Sequence, residues 1–136
     1  MNKFFAVVLI LLSVAMLSMA IPQFGNIAYA DITSTATGTT TTTGSAINIQ
    51  IGWTPRVVVV SRVSATAANN YQLTYNNNMT AGYGILHGPS ALTYITTNGI
   101  SPYAGSISAG KGFTIGTNSS INPSSPADLI YWQAWK

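Results

Sequence analysis

After residue 30 the apolar residues never recur at helical spacing; they alternate with polar ones or gather in short β-branched runs, with turn residues between. This pattern predicts an all-β chain, an antiparallel β-sandwich or jelly-roll-like single domain. Ile47, Ile49 and Ile51 alternate with Asn48 and Gln50, the period of a half-buried strand. Gly52-Trp53-Thr54-Pro55 breaks that strand, because proline lacks the ladder N–H and restricts the residue before it. The valine run that follows, Val57 to Val60 with Ser61, Arg62 and Val63, reads as a central strand buried on both faces. Tyr71, Leu73 and Tyr75 alternate again and stop at Asn76-Asn77-Asn78, a turn.

Further along, glycines at 82, 84 and 88 with Pro89 mark a turn-rich stretch around Tyr83 and His87, and residues 91–97 form another strand. Asn98-Gly99 is a turn signal, which makes residues 100–108 a short edge strand interrupted by Pro102. Gly110-Lys111-Gly112 then turns into Phe113-Thr114-Ile115-Gly116. Asn122-Pro123-Ser124-Ser125-Pro126 is a loop, and residues 129–135 close the chain as an aromatic strand. There alternate members, such as Tyr131 with Gln133 or Trp132 with Ala134, fill the core or a subunit contact.

Ahead of the β-rich part stands a different kind of segment. Lys3, an apolar run over residues 4–21 broken only by Ser13 and Ser18, and then Ala28-Tyr29-Ala30 make the three parts of an export signal. Ala28 and Ala30 suit a signal peptidase, with the cut before Asp31. The alternative is a retained anchor, a hydrophobic helix at the lower limit of length for a membrane span. Pro22 and Gly25 just behind the run favour cleavage. Residues 1–30 are thus a signal peptide or anchor, residues 31–45 a Thr-rich extended arm, and residues 46–136 the β domain. The expected location is extracellular, or on a cell or virion surface, with membrane contact only through residues 4–21 if they are retained.

The arm includes Ile32 and the run Thr39, Thr40, Thr41, Thr42 and Thr43. Thr favours extended backbone, yet no apolar alternation fixes one face, so the segment is expected to order only by adding to a sheet, as in a neighbouring copy.

Composition narrows the function. Beyond residue 30 there are Arg56, Arg62, Lys111 and Lys136 against Asp31 and Asp128, and the chain has neither Glu nor Cys. Four dispersed cations cannot neutralise a run of phosphates, so no nucleic-acid partner is expected. An exported domain without disulfides rests on sheet pairing, packing or assembly, which implies a homo-oligomer or a larger particle.

Three ordered blocks carry a resemblance. The first runs from Gly44-Ser45-Ala46-Ile47 through Gly52-Trp53-Thr54-Pro55-Arg56 into the valine strand. The second joins Thr96-Thr97-Asn98-Gly99-Ile100 to Gly112-Phe113-Thr114-Ile115-Gly116, and the third is Ile130-Tyr131-Trp132-Gln133-Ala134-Trp135. Together they resemble a small β-sandwich module of phage tail-fibre tips, capsid decoration proteins and other virion surface proteins. That resemblance implies a non-catalytic surface module. Tailed-phage virion proteins are ordinarily made without an export signal, so an enveloped particle or a cell-displayed relative both remain open.

Catalytic constellations are poorly supplied. His87 is the sole histidine, and neither Asp neighbours it in sequence. Structural zinc needs several Cys or His ligands and a calcium loop several carboxylates, which this inventory does not supply. A Ser-His-Asp triad would require folding to bring His87 to Asp128 or Asp31, and no Gly-x-Ser-x-Gly elbow is present. A glycosidase pair would have to join Asp31, at the expected new N-terminus, to Asp128 behind a proline loop. No cofactor, metal or enzymatic activity is expected. Aromatic loop residues are the better candidates for contact with a glycan or receptor: Tyr83 in its glycine-rich stretch, Tyr103 beside Pro102, and His87. An adhesin or secreted carbohydrate-binding module is the alternative function. Asn78-Met79-Thr80 and Asn118-Ser119-Ser120 match the N-glycosylation acceptor pattern.

Overall fold

The computed structural model describes residues 34–106, 110–125 and 127–136. The signal or anchor segment, Ile32 of the arm, and the expected cleavage site at Ala28, Ala30 and Asp31 lie outside the described residues.

Eight strands make one antiparallel sheet: β1 (Thr35–Thr41), β2 (Ile47–Gln50), β3 (Val57–Val63), β4 (Tyr71–Asn76), β5 (Tyr83–His87), β6 (Leu92–Tyr103), β7 (Gly112–Ile115) and β8 (Leu129–Trp135). A short 3-10 turn spans Ala67–Asn69. The spatial order is β1-β8-β3-β4-β5-β6-β7-β2, so β3 to β7 form a meander, β8 returns between β1 and β3, and β2 covers β7.

Connectivity forces this sheet to curl. Strands β1 and β2 are consecutive in sequence yet occupy opposite edges. In a flat sheet the edges would lie about 34 Å apart at the usual strand spacing. The residues between them, 42–46, reach at most about 20 Å when fully extended. The sheet therefore bends until its edges approach, and one face becomes an interior. That face holds the core: Val58 and Val60 from β3, Leu73 and Tyr75 from β4, Leu86, Ile100, Phe113, and Ile130 and Ala134 from β8, all buried. Ile121, from the loop between β7 and β8, plugs the same core. With no long helix among the described residues to cover it, an apolar sheet face of this size is removed from water by closing on itself.

The strand expectations hold for β2, β3, β4, β7 and β8, with five differences. The stretch around Tyr83 and His87, read as turn-rich, is a strand, β5, in which Gly84 leaves room for the Leu73 side chain. All strands belong to one continuous sheet and are not divided into two separately bonded ones. Val57 and Val59 are half-buried while Val58 and Val60 are fully buried, so the valine strand packs tightly on one face only. Asn98-Gly99 does not reverse the chain; residues 96–99 bulge out between the pairs Gly84↔Ile95 and Tyr83↔Ile100, and β6 continues beyond them. Asn98 takes the left-handed conformation at φ 59°, and a side chain on Gly99 would meet the Tyr83 carbonyl at 2.6 Å, so the dipeptide serves a bulge. Pro102 consequently lies in an interior strand. Its nitrogen points away from β7, toward the side where β5 has already ended, so no ladder bond is lost.

The Thr-rich segment is β1, paired along its whole length with β8 of the same chain. Its inward positions, Ala36, Gly38 and Thr40, are small because the Trp132 indole lies across Gly38. Trp132 in turn meets Phe113 edge-on, with ring centroids 5.5 Å apart. A methyl group on Gly38 would collide with the Trp132 ring. Gly38→Ala is therefore expected to cost about 1–3 kcal/mol through overpacking. Denaturant melts with tryptophan fluorescence check this, and an unchanged midpoint would show that the indole can move aside.

Candidate functional site

At one end of the β4–β5–β6 meander the surface opens into a cleft of about 350 Å³. Tyr71 and Leu86 form part of its lining with the tight turn Gly88–Ala91, the 3-10 residue Ala68, and Ser120 from the β7–β8 loop. The turn is closed by a bond from Gly88 N–H to the Ala91 carbonyl, and Gly88 lets the Tyr71 ring approach closely. Ser90, Thr93 and Ser120 add hydroxyls, and no lining residue is charged. The cleft suits a neutral, partly apolar ligand offering hydroxyl groups.

Its far wall is pinned from inside the barrel-like curl. Arg62 continues the inward phase of Val58 and Val60 and is buried. Its Nε donates to Asp128 Oδ2 at 2.8 Å, its Nη2 lies 2.6 Å from the same oxygen, and its Nη1 donates to the Ser120 carbonyl at 3.1 Å. Asp128 is locked to β1 in turn: Thr42 N–H donates to its carbonyl, and its own N–H donates to Thr42 Oγ1. One ion pair thus holds β1, β3 and the cleft loop together.

A second buried polar group closes the fold. Asn122 is 1% exposed, and its side chain makes four bonds. Oδ1 accepts from the N–H groups of Thr43 and Gly44, and Nδ2 donates to the carbonyls of Ser45 and Gly116. This amide spans the β1–β2 crossing and ties it to the end of β7.

The sequence-selected residues are not brought together. Tyr83 is half-buried and meets Tyr94 edge-on, with centroids 5.7 Å apart. His87 is exposed at the other end of β5, opposite Gln72 and Leu92 and next in sequence to the Gly88 of the cleft. Tyr103 is half-buried at the end of β6, opposite Gly112, where β5 no longer runs alongside. Of the arm residues, Thr39, Thr40 and Thr41 lie in β1, Thr42 is buried against Asp128, and Thr43 caps a turn by donating its hydroxyl to the Ser45 carbonyl. Asn118 of the second acceptor motif uses its side-chain oxygen to accept from Ser120 N–H, whereas Asn78 lies exposed in the turn after β4.

The outer face of the sheet is the other unusual surface. Cross-strand register lays out two rows six strands wide: Thr39, Tyr131, Ser61, Gln72, His87 and Leu92, and beside it Thr37, Gln133, Val59, Thr74, Ile85 and Tyr94. Leu92 is 65% exposed and Tyr94 56%, with Val63, Leu129 and Tyr131 also open. Within the eight strands the only Lys, Arg, Asp or Glu is Arg62, which faces inward.

Comparison with protein-family models, curated proteins and solved structures gives no match. Among the described residues no three His, Cys, Asp or Glu side chains gather as a metal site, and no helix is long and apolar enough to cross a membrane.

Sequence reasoning missed Tyr71 and Ser120 as cleft residues, Asn122 as a clamp, and the Arg62–Asp128 pair. Only Arg62 carried a local signal: an arginine in phase with buried valines requires a carboxylate.

Proposed function

We propose that this chain is a non-catalytic, exported structural protein of a particle or cell surface, working in assembly with copies of itself or with a larger body. The uncharged outer face supports this most directly. Solvent-facing surfaces of soluble monomers are ordinarily about a quarter or more Lys, Arg, Glu and Asp. Here twelve aligned outer positions across six strands contain none of these, and they include exposed Leu92, Tyr94 and Tyr131. Such a face is stable in water when another surface covers it.

In this reading the curled sheet works as a jelly-roll-like body with two facing leaves, as the resemblance to virion surface modules implies. Residues 1–30 direct export, with cleavage before Asp31 or retention as an anchor. The test is light scattering on the full chain and on Tyr94→Lys and Leu92→Lys, both open positions whose change leaves the core untouched. Assemblies that the lysine variants weaken, with unchanged circular dichroism, support the proposal. Assembly unaffected by either variant would remove the outer face from it.

A second reading, a glycan-binding module, draws on the neutral cleft beside Tyr71. Binding of a neutral oligosaccharide that is lost in Tyr71→Ala and kept in Tyr83→Ala would favour it.

A further inference from the structure

We infer that strand β1 is a docking edge for a second copy of this chain, the two copies pairing β1 against β1 in antiparallel fashion around a two-fold axis at Gly38. This rests on the assembly reading above and names the contact.

The hydrogen-bond phase sets which groups are available. Thr42 N–H donates to Asp128 and Lys136 N–H donates to Ser34, so the even-numbered residues of this segment face β8. In an antiparallel ladder a residue directs its N–H and C=O to the same side, and that side alternates along the strand. Thr35, Thr37, Thr39 and Thr41 therefore turn both groups outward from the sheet edge.

Natural edges are usually blunted by charge, proline, bulges or short length. Here β1 is seven residues long and it and β8 contain no charged residue, no proline and no β-bulge. The opposite edge, β2, is four residues long and ends in a distortion where Ile51 and Gly52 N–H both reach the Lys111 carbonyl. Among the described residues the sheet thus has one guarded edge and one open edge.

A second copy fits the open edge better than an unrelated strand does, because the edge is self-complementary. With Gly38 opposite its symmetry mate, Thr35 faces Thr41 and Thr37 faces Thr39 of the other copy. Every outward-turned residue then meets an outward-turned residue, and each pair exchanges two main-chain bonds. The threonine side chains form cross-strand pairs on the outer face, a favourable combination. The contact continues into that face, since Tyr131 and Leu129 lie directly beside Thr39 and Thr41.

Thr39→Pro removes an outward N–H and no bond to β8, so it separates pairing between copies from folding. Sedimentation of the full chain is expected to show a dimer that Thr39→Pro weakens at least about tenfold, since the two-fold doubles each lost donor. Thr39→Val, which keeps the N–H, should still dimerise. Amide hydrogen exchange gives a readout that does not depend on the variant folding. On dilution, the amides of Thr35, Thr37, Thr39 and Thr41 should lose protection together, while those of Ala36, Gly38 and Thr40 keep it. A dimer retained in Thr39→Pro, or those four amides protected in a monomer, would overturn the edge contact. Association lost in Tyr94→Lys but intact in Thr39→Pro would leave the assembly reading standing without it.

Discussion

Asn122→Ala is expected to lower stability by about 3 kcal/mol, because each buried backbone group left without a partner costs about 1–3 kcal/mol. Its amide answers two N–H groups and two carbonyls, and its side chain is sealed from water. Partial solvent access to the loop partners keeps the sum well below four full penalties. For a domain of this size the loss should lower the melting temperature by more than about 10 °C. Asn122→Asp separates chemistry from shape. The carboxylate still accepts from Thr43 and Gly44, but it sets an acceptor against the Ser45 and Gly116 carbonyls, so it should destabilise the protein as well. A neutral Asn122→Asp would mean that the amide donors are not what closes the sheet.

Asp128→Ala should cost about 3 kcal/mol or more, for a different reason. The Arg62 and Asp128 side chains are 6% and 9% exposed, and removing the acid leaves a buried guanidinium bonded to the Ser120 carbonyl but without its carboxylate. Breaking a buried pair costs about 3–5 kcal/mol, whereas replacing both partners with apolar groups of similar volume is often close to neutral. The double change Arg62→Met with Asp128→Leu should therefore recover much of the loss. It frees the Ser120 carbonyl as well, so the cleft wall should loosen although the fold survives. Urea titrations of both singles and the double measure this cycle. Near-additive losses would show that the two charges act independently. Because the pair is buried, moderate salt should change none of these values appreciably.

Most strands are legible in the sequence, because half-buried strands write their own alternation. Ile47 with Ile49, Leu73 with Tyr75, and Trp132 with Ala134 all face the interior, and in the closing strand the structure selects the Trp132 set over Tyr131. Strand β1 was ambiguous for a physical reason: its inward residues are small so that Trp132 can fill the space, and the apolar signal sits on β8 instead. Asn98-Gly99 looks the same in a hairpin and in a bulge, since both use positive φ. What lies opposite decides, and Gly82 N–H bonded to the Ile100 carbonyl is a tertiary fact.

The sites were less legible than the strands. Tyr83, His87 and Tyr103 were selected as aromatic or polar residues near turns, but turns recur at both ends of every strand. The cleft instead combines Tyr71 with Ser120, far apart in the chain, through the position of Arg62. Asn122 sits in a run of Asn, Pro and Ser that reads as an exposed loop. Its burial follows only from closure of the sheet.

The proposed role rests on surfaces whose water exposure is costly in an isolated chain, so the mass of the species in solution tests it most directly. Sedimentation equilibrium of the full chain over a wide concentration range should give a mass that rises from one chain to two or more, with the rise suppressed by Tyr94→Lys and Thr39→Pro. A single-chain mass at every concentration, unaffected by either variant, would contradict assembly as the way this protein works.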